Sequence, residues 1–571
     1  GGLGWEHWFL QQNRAWFNSF DIMDDMQYGL SLKAIEGHLG LDIEESSVPF
    51  DIDRPLTKEE LEETIKYCKY DVDVTERLIK LRKNYLQTKQ RLGSMKDLSP
   101  ERSLYMTNAK LTSAYLGARK REWGDERNYK YPDNLKKELI PKEVFEFFDR
   151  LKDPDISDKD LFSSKVTVEL TKGVDAVYGF GGIHQGIDNY REEETENRII
   201  RLVDIGSYYP SLMVKYGYTS RNIPHPKEFE NVYHARMKAK AEGNKVIDTN
   251  YKLVLNTTYG CMLNQYNDLY DPLMGRSVCI SGQLFITELV MTYIKELKTV
   301  KVIQTNTDGI IISFDKSEHD KVKAINREWQ ERTGFTLDEE KIEKIIQKDV
   351  NNYIIVNEGG RVQTKGAYVT YGMSAVGAWN INNNYTIVKK AIIDYFVKGT
   401  PVEETINSCN DILEFQYIAK ASSKYTHCYH IVDGKKVPVQ KVNRVYATKD
   451  ERYGTLYKVH KETGRPAKIE DLPKHCIIDN RNELDIQDID KEHYIQKAHK
   501  MISDFLGKER EGGDMSNKYI KLSDLAQVPG IGKKTLERIK ECCEIITLEE
   551  EPKKNEKLYA WLDKLLESGD D

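Results

Sequence analysis

Two acidic residues stand at the ends of short apolar runs, and both have the chemistry to hold a divalent cation. Asp204 comes at the end of an apolar run before a turn marked by Gly206 and Pro210. Asp308 lies in the hairpin turn predicted within VKVIQTNTDGIIISF. Each alone has an ordinary alternative, a helix cap for Asp204 and a turn residue for Asp308. Together, two carboxylates on separate β elements are what a two-metal site requires.

Basic, amide and phenol groups lie between these acids on predicted helices. Three of them share one helical face at i, i+4 and i+7: Lys252, Asn256 and Tyr259. Gly260 is expected to end that helix. Upstream, Arg236 and Lys240 stand at i and i+4, a spacing that lets two cations grip phosphate oxygens together. The alternative for both faces is simple exposure to solvent.

The elements that position these residues indicate an α+β fold. Strands are predicted over 166–170 and 198–205, two more over 300–314, and helices over 224–265. Thr57 and Glu60 form a capping-box pattern that opens a helix. Its predicted apolar face consists of Ile65, Cys68, Val72 and Ile79. Glycine, serine and proline over 93–102 predict a linker, and the polar stretch 507–518 predicts another.

Composition narrows the classes of protein. Of 571 residues, 39% are hydrophobic and 31% are charged, which is typical of a soluble globular chain of about four domains. The longest mostly apolar stretch, 279–294, is interrupted by Gln283 and Glu288, so no membrane span is expected. Eight cysteines without a Cys-x-x-Cys pair predict reduced thiols and a cytoplasmic location. The net charge of −7 gives no sign of a nucleic-acid binder.

The order and spacing of three segments resemble a known family. DIGSYYPS from Asp204, KLVLNTTYG from Lys252 and TNTDG around Asp308 look like motifs A, B and C of family B DNA polymerases, especially those of bacteriophages. Gly181 and Gly182 begin a segment, GGIH, that resembles the family's glycine-rich, DNA-contacting link between exonuclease and polymerase domains. The resemblance spans roughly residues 20 to 505. The start, Gly1 without Met or signal pattern, leads us to expect a truncated or processed chain.

The resemblance implies an α+β polymerase fold shaped like a right hand, with six parts along the chain. These are a partial RNase H-like 3′–5′ exonuclease domain (1–92), a linker and helical region (93–165), a palm (166–375) that contains fingers at about 224–262, a thumb (376–506), a linker (507–518) and a helical tail (519–571).

It also implies roles for the residues that match the motifs. Asp204 and Asp308 would hold two Mg²⁺ ions, with Mn²⁺ as an alternative metal. The incoming deoxynucleoside triphosphate would meet six side chains: Arg236, Lys240 and Lys252 on its phosphates, Tyr209 as a steric gate against ribose, and Asn256 and Tyr259 at the base pair. The implied partners are primer–template DNA and deoxynucleotides, with no membrane. The implied reaction is nucleotidyl transfer to a primer 3′ end in phage DNA replication.

Two segments depart from the family pattern within the polymerase region. Motif C usually begins with Asp, where this chain has Asn306, so one negative charge is missing. Lys365 and Tyr368 resemble the family's Lys-x-Tyr element near the primer end but have one additional residue between them. Their alternative is a Lys and a Tyr that flank a glycine turn.

The N-terminal region resembles only the last part of an exonuclease. Tyr67 and Asp71 match the third exonuclease motif, whereas the two earlier motifs would lie upstream of Gly1, so no proofreading is expected. The alternative for Tyr67 and Asp71 is a helix with an exposed acid. Only 48 positions separate Asp204 from Lys252 (252 minus 204), which favours an ordinary nucleic-acid primer over a protein primer.

The tail contains VPGIGKKT, which resembles the hairpin of a helix-hairpin-helix module. Gly530 and Gly532 would let backbone N–H groups approach a phosphate, and Lys533 would add charge. The alternative is a plain turn between two helices.

Two other functions remain open at this point. One is a DNA-binding accessory protein whose polymerase site has decayed, which Asn306 and the incomplete exonuclease favour. The other is an RNA-synthesising enzyme, which Tyr209 opposes.

Overall fold

The computed structural model of the chain describes residues 22, 26, 29–49, 52–171, 173–374 and 379–507. Its α-helices are α1 (Leu32–His38), α2 (Lys58–Leu81), α3 (Lys83–Ser94), α4 (Pro100–Tyr105), α5 (Asn108–Tyr115), α6 (Lys142–Asp149), α7 (Asp158–Ser163), α8 (Tyr208–Lys215), α9 (Pro226–Ala241), α10 (Lys245–Met262), α11 (Pro272–Glu296), α12 (His319–Thr333), α13 (Thr386–Lys398), α14 (Val402–Ser408) and α15 (Lys491–Leu506).

The strands are β1 (Lys165–Thr171), β2 (Val174–Gly179), β3 (Ile183–Gly186), β4 (Tyr190–Glu193), β5 (Arg198–Ile205), β6 (Lys301–Thr305), β7 (Gly309–Asp315), β8 (Leu337–Asp349), β9 (Asn352–Asn357), β10 (Arg361–Lys365), β11 (Gly372–Ser374), β12 (Asn380–Asn382), β13 (Tyr417–Lys420), β14 (Tyr425–Val432), β15 (Lys435–Val439), β16 (Val442–Ala447), β17 (Tyr453–His460), β18 (Pro466–Lys468) and β19 (Cys476–Ile478).

The largest sheet is antiparallel and carries both predicted acids. Its strand order is β1-β2-β3-β6-β7-β5-β8-β9-β10, and β4 pairs with β8. Strand β5 lies between β7 and β8 near the middle, so side chains at its end are flanked by two strands. The predicted strands over 166–170, 198–205 and 300–314 are confirmed as β1, β5, β6 and β7. The mixed helix-and-sheet fold is therefore confirmed, whereas the division into exonuclease, palm, fingers and thumb stays a prediction.

Helix α11 is the buried axis of the largest core. Its 25 residues pack apolar side chains such as Leu284 and Phe285 against the sheet. Gly282 lies where α11 packs on α8, since a Cβ there would lie 3.3 Å from Leu212 Cδ1 and at ordinary contact distances of 3.4 and 3.5 Å from the Tyr208 and Tyr209 rings. Within the described part of the chain, α11 is the one helix long and apolar enough to cross a membrane by length and composition, but 83% of its apolar window is buried inside the protein. The expectation that no segment reaches that length was therefore wrong, although burial explains the helix as a core element.

The N-terminal helices pack on the C-terminal half of the chain. Ala34 and Ile35 of α1 share an apolar cluster with Trp379, Ile418 and Val442. Arg444 fastens the contact, because its guanidinium donates to the carbonyl oxygens of Gly37 and Leu41.

The capping box at Thr57 and Glu60 is confirmed, but the predicted apolar face of α2 was wrong. Ile65 and Val72 are 46% and 66% exposed, and Cys68 is exposed too. The helix instead buries Val74 and Leu78. Packing against α1 determines which side of α2 is buried, and the number of apolar residues on each side does not.

The predicted linker over 93–102 is confirmed in part, as a shorter connection over 95–99. Helix α3 continues through Gly93, and α4 starts at Pro100. Gly93 is buried, and a Cβ there would lie only 1.7 Å from Ser103 Oγ, so this glycine permits a close approach between α3 and α4.

Residues 379–507 combine helices with two small sheets. Helices α13 and α15 share an apolar cluster with Ile346 of β8 and Ile354 of β9. The two small sheets are a three-stranded sheet, β13-β16-β19, and a four-stranded sheet, β15-β14-β17-β18.

Candidate active site

Strand pairing brings the two predicted catalytic acids together. In the register of β5 and β7, Asp204 lies opposite Gly309, which directly follows Asp308. The Ile205 N–H donates to the Asp308 carbonyl oxygen at 2.8 Å. A Cβ on Gly309 would lie 3.4 Å from Asp204 Oδ1, an ordinary contact distance, so Gly309 lies directly beside that carboxylate. Asp204 is half-buried and Asp308 is exposed.

Two further acids on β8 surround Asp204 and were not predicted. Asp338 lies directly opposite Asp204, and Glu340 lies opposite Leu202 on the same face. Burial, and then the charges of Asp308, Asp338 and Glu340, raise the pKa of Asp204 to about 7, against the opposing effect of Lys240. The site therefore concentrates negative charge that the protein itself neutralises only in part.

The donor set fits a hard divalent cation. Among the described residues, no group of three or more His, Cys, Asp or Glu side chains is placed to hold a metal ion. Asp204 and Asp308 are two carboxylates at neighbouring positions of paired strands. That number suits Mg²⁺, which commonly binds through one or two carboxylates and completes its shell with waters and substrate phosphates.

The basic pair on α9 lies beside the strand ends. Arg236 Nη1 donates to Ser207 Oγ at 2.8 Å, and Arg236 Nε donates to Asp248 Oδ1 at 2.9 Å. Lys240 Nζ lies 3.4 Å from Asp338 Oδ2. Ser207 is positioned by a left-handed backbone (φ +51°) between β5 and α8. Arg236 and Lys240 thus contact residues next to the acids.

Helix α10 contributes an aromatic contact to the same region. The rings of Tyr209 and Tyr259 lie 4.4 Å apart between centroids, so these two predicted residues are brought together. Lys252 is half-buried and Asn256 is exposed on the same helix. Within the described residues, no hydrogen bond or ion pair joins either of them to Asp204 or Asp308. The helix also continues past Gly260 to Met262, so the predicted end was two residues early.

The glycine link lies against the turn that carries Asp308. Gly182 is buried, and a Cβ there would lie 2.8 Å from Thr307 Oγ1, whereas Gly181 is exposed. Gly182 therefore permits a close approach between the start of β3 and the turn. Gly181 lies beside it at the surface.

Lys365 and Tyr368 point to different places. Lys365 Nζ lies 5.8 Å from the Tyr353 ring. Burial raises the pKa of Tyr353, and the charge of Asp308 adds to that shift. Tyr368 instead donates to Asp504 Oδ2 at 3.3 Å, on α15. Gly366 (φ +96°) makes the intervening turn, because a Cβ there would lie 2.2 Å from the Asn351 carbonyl oxygen.

The exonuclease-like residues form a separate cluster. Lys33 Nζ binds Asp71 Oδ1 at 2.7 Å and Glu36 Oε1 at 3.1 Å, and it lies 4.5 Å from the centre of the Tyr67 ring. Burial raises the pKa of Glu36 to about 7 despite Lys33. The Asp71 carboxylate is therefore already paired with an internal cation.

The predicted tail residues Gly530, Gly532 and Lys533 lie outside the described residues. The helix-hairpin-helix interpretation of 519–571 stays a prediction.

Comparisons with known proteins give a distant likeness. No protein-family profile matches the chain, and no curated protein does. Among solved structures, the chain is similar to the family B DNA polymerase from the hyperthermophilic archaeon Pyrobaculum calidifontis, with a TM-score of 0.39 and 13% identity. The match covers 84% of this chain and 61% of that polymerase, so the chain spans about three fifths of its length.

Proposed function

We propose that the chain is a DNA-directed DNA polymerase of the bacteriophage type, which adds deoxynucleotides to a DNA primer 3′ end. The observation that carries the proposal is the meeting of Asp204 and Asp308 at paired strand ends, beside the cations of α9. Nucleotidyl transfer needs two acids that hold metal and cations that hold a triphosphate, and this region supplies both.

Magnesium is the proposed cofactor, and Asp204 and Asp308 are the residues that would hold it. When bound, it would activate the primer hydroxyl and neutralise charge on the leaving pyrophosphate. Asp338 and Glu340 would add to the negative field around the site.

The side chains around the acids have proposed roles in nucleotide binding. Arg236, Lys240 and Lys252 would bind the triphosphate, since Arg and Lys both suit phosphate oxygens. Asn256, exposed on α10, would contact the nascent base pair next to Tyr259. Tyr209 would exclude the ribose 2′-hydroxyl. Its support is the contact of its ring with the Tyr259 ring.

The test is extension of a labelled primer on a DNA template with Mg²⁺ and deoxynucleotides. Asp308→Asn should lower the rate by about 100-fold or more, because a metal ligand is lost. Asp315→Asn is the matched control, since Asp315 ends the same strand away from the site and only caps a turn through Ser317. Equal activity of wild type and Asp308→Asn would contradict the proposal.

The sugar preference has its own test. Tyr209→Ala should admit ribonucleotides into the extension product, whereas Tyr208→Phe should not, since the Tyr208 hydroxyl only donates to the Gly282 carbonyl oxygen. Unchanged selectivity in Tyr209→Ala would remove the gate role and leave the polymerase proposal in place.

We also propose that this chain does not proofread. The support is Lys33, which pairs with the one exonuclease-like carboxylate, Asp71. A labelled single strand should therefore remain intact in the presence of Mg²⁺ without nucleotides.

A second candidate is a DNA-binding accessory protein with a decayed polymerase site. The observation that favours it is Asn306, where the family pattern has an acid. DNA binding without extension by the wild-type chain would select this candidate.

A further inference from the structure

A polar stripe runs along the buried helix α11. Cys279, Gln283 and Thr287 stand at i, i+4 and i+8, so they share one face, and each is 1% exposed or less. Gln283 is also one of the two residues that interrupt the longest apolar stretch of the sequence. A buried amide destabilises the fold unless it is hydrogen-bonded, so the partners of Gln283 account for its place in an apolar helix.

Gln283 joins α11 to the end of strand β2. Its Nε2 donates to the Gly179 carbonyl oxygen at 2.8 Å, and the Gly179 N–H donates to its Oε1 at 3.5 Å. The same Nε2 donates to Cys279 Sγ at 3.3 Å. The amide therefore fixes the Cys279 thiol against the largest sheet, which contains β2 and also β5.

From Cys279 the hydrogen bonds continue to the proposed gate. The Tyr259 hydroxyl donates to Cys279 Sγ, and the Tyr209 hydroxyl donates to the Tyr259 hydroxyl. A tyrosine hydroxyl has one proton to donate, so the bonds all run toward the sulfur. Burial raises the pKa of Cys279 to about 12, so the thiol is neutral at ordinary pH. The result is an uncharged chain of hydrogen bonds, which we call the relay: Tyr209, Tyr259, Cys279 and Gln283.

The contact between the two rings does not by itself fix Tyr209. The Tyr209 and Tyr259 rings lie 4.4 Å apart between centroids, with 53° between their planes. Dispersion contacts of this kind have little directional preference, whereas a hydrogen bond fixes both a distance and an angle. A site that excludes a single hydroxyl must hold its side chain to within about 0.5 Å, and hydrogen bonds from outside the site provide that precision. The relay supplies the constraint that the ring contact lacks.

We propose that Cys279 and Gln283 are positioning residues, which hold the Tyr209 ring through Tyr259 and so strengthen the preference for deoxynucleotides over ribonucleotides. Both residues are buried in α11, outside the three motifs that carry the candidate site. The inference rests on the proposed function, because Tyr209 acts as a gate only if the chain is a polymerase.

The test compares incorporation of deoxynucleotides and ribonucleotides by variants that break the relay at different atoms. Tyr259→Phe removes the middle hydroxyl and keeps the ring. Cys279→Ala removes the acceptor sulfur, whereas Cys279→Ser keeps an acceptor at the same position. Extension of a labelled primer by one nucleotide gives kcat and KM for each kind of nucleotide.

Two buried residues of the same types serve as matched controls. Tyr178→Phe removes a hydroxyl that is hydrogen-bonded to Thr287 Oγ1 of the same helix, at 3.0 Å, outside the relay. Cys261→Ala removes a buried thiol of α10 whose Sγ has no hydrogen bond within the described residues. Both controls should lower the melting temperature, as the relay variants do, and leave the sugar preference unchanged.

Each relay variant should weaken the preference for deoxynucleotides. Tyr259→Phe and Cys279→Ala should reduce it by about fivefold, the effect of one neutral hydrogen bond. The change should appear as a lower KM for ribonucleotides with kcat for deoxynucleotides unchanged, since the reacting groups are untouched. Cys279→Ser should recover most of the preference. A preference in both relay variants equal to that of Tyr178→Phe would overturn the inference, and so would a lower kcat for both kinds of nucleotide without a change in preference.

A measurement without nucleotides separates failure of this inference from failure of the proposed function. Tyr259→Phe and Cys279→Ala break the same hydrogen bond, so the double variant should lose less melting temperature than the sum of the two single losses. If wild type does not extend primers, the polymerase proposal falls, and non-additive losses would still support a relay that fixes Tyr209. Additive losses would overturn the relay whatever the activity, and primer extension by wild type would then leave the polymerase proposal in place.

Discussion

Two carboxylate clusters of this protein contain similar residues but balance their charge in opposite ways. Burial raises the pKa of both Glu36 and Asp204 to about 7. Around Glu36, the neighbouring Lys33 binds two acids and opposes the shift. Around Asp204, three further acids add to the shift, and the exposed Lys240 opposes it weakly.

The difference separates a cluster that holds the fold together from one that, on the proposed function, accepts a cation. Lys33 is an internal counter-ion, fixed between α1 and α2, so its cluster needs nothing from solution. The site at β5 and β7 has no such residue and retains repulsion among its acids. A stable fold tolerates that repulsion only where something is gained, and metal binding is such a gain.

The largest expected effect is on the Lys33 cluster. Lys33→Met should lower the free energy of unfolding by about 4 kcal/mol, because Glu36, which is fully buried, loses its counter-ion. Denaturant unfolding measures the change. Lys66→Met, an exposed lysine on α2, should alter stability by no more than about 0.5 kcal/mol.

The double variant Lys33→Met with Glu36→Gln should recover part of the loss, since the buried charge is then gone. Equal stability of Lys33→Met and Lys66→Met would show that the cluster contributes nothing to the fold.

Helix α1, which carries Lys33 and Glu36, also contains a histidine that should make the stability of the fold sensitive to acid. Burial lowers the pKa of His38 to about 4, and its Nδ1 accepts the Asn383 N–H at 3.2 Å. The unfolded imidazole binds a proton near pH 6.5, so stability should fall as pH falls from 6.5 to 4, by about 3 kcal/mol in full. Protonated Glu36 acts in the opposite direction over part of this range, because its pKa is raised.

The difference between wild type and His38→Asn isolates the imidazole. The Asn side chain offers an acceptor oxygen and does not titrate. The stability of His38→Asn relative to wild type should therefore rise as pH falls from 6.5 to 4. Chemical unfolding at several pH values measures this difference. A constant difference would mean that His38 is not held neutral in the fold.

At the other cluster, removal of a charge should stabilise the protein. Asp204→Asn should raise the free energy of unfolding in EDTA by about 2 kcal/mol, a value discounted for the partial exposure of Asp204. Mg²⁺ should then stabilise wild type but not the variant. Asp315→Asn should have the opposite sign, because hydrogen bonds from Ser317 lower the pKa of Asp315. Thermal unfolding of wild type, Asp204→Asn and Asp315→Asn, with and without Mg²⁺, tests these expectations.

The sequence predicted the local parts of this comparison and missed the parts set by distant pairing. A run of β-favouring residues predicted β5, and Asn306 to Gly309 predicted the turn before β7. Asp338 and Glu340 reach Asp204 only because β8 pairs with β5, and no local pattern encodes that pairing. The one feature of the sequence that could have indicated Asp338 and Glu340 was their position in a strand that contains several acids.

The pairing of Lys33 with Glu36 and Asp71 could not be predicted for a similar reason. Asp71 and Tyr67 had a recognisable spacing, but Lys33 lies on another helix, and its role as counter-ion depends on how α1 and α2 pack. Exposed Ile65 and Val72 show the same limit, since the side of α2 that is buried was decided by that packing and not by where its apolar residues fall.

The smallest effect concerns Asn306, whose Oδ1 is buried without a hydrogen-bond partner. Asn306→Asp would add an acid next to the candidate metal site. For charges several ångströms apart at high dielectric, the added carboxylate should strengthen Mg²⁺ binding by roughly 1 kcal/mol, a factor of about five. The midpoint of Mg²⁺-dependent thermal stabilisation measures this, with Asn306→Ser as an uncharged control. In EDTA the same variant should be less stable than wild type, because the new charge increases repulsion around Asp204. A gain in metal affinity without that loss would mean that charge repulsion does not govern this cluster, and the contrast with Lys33 would then not hold.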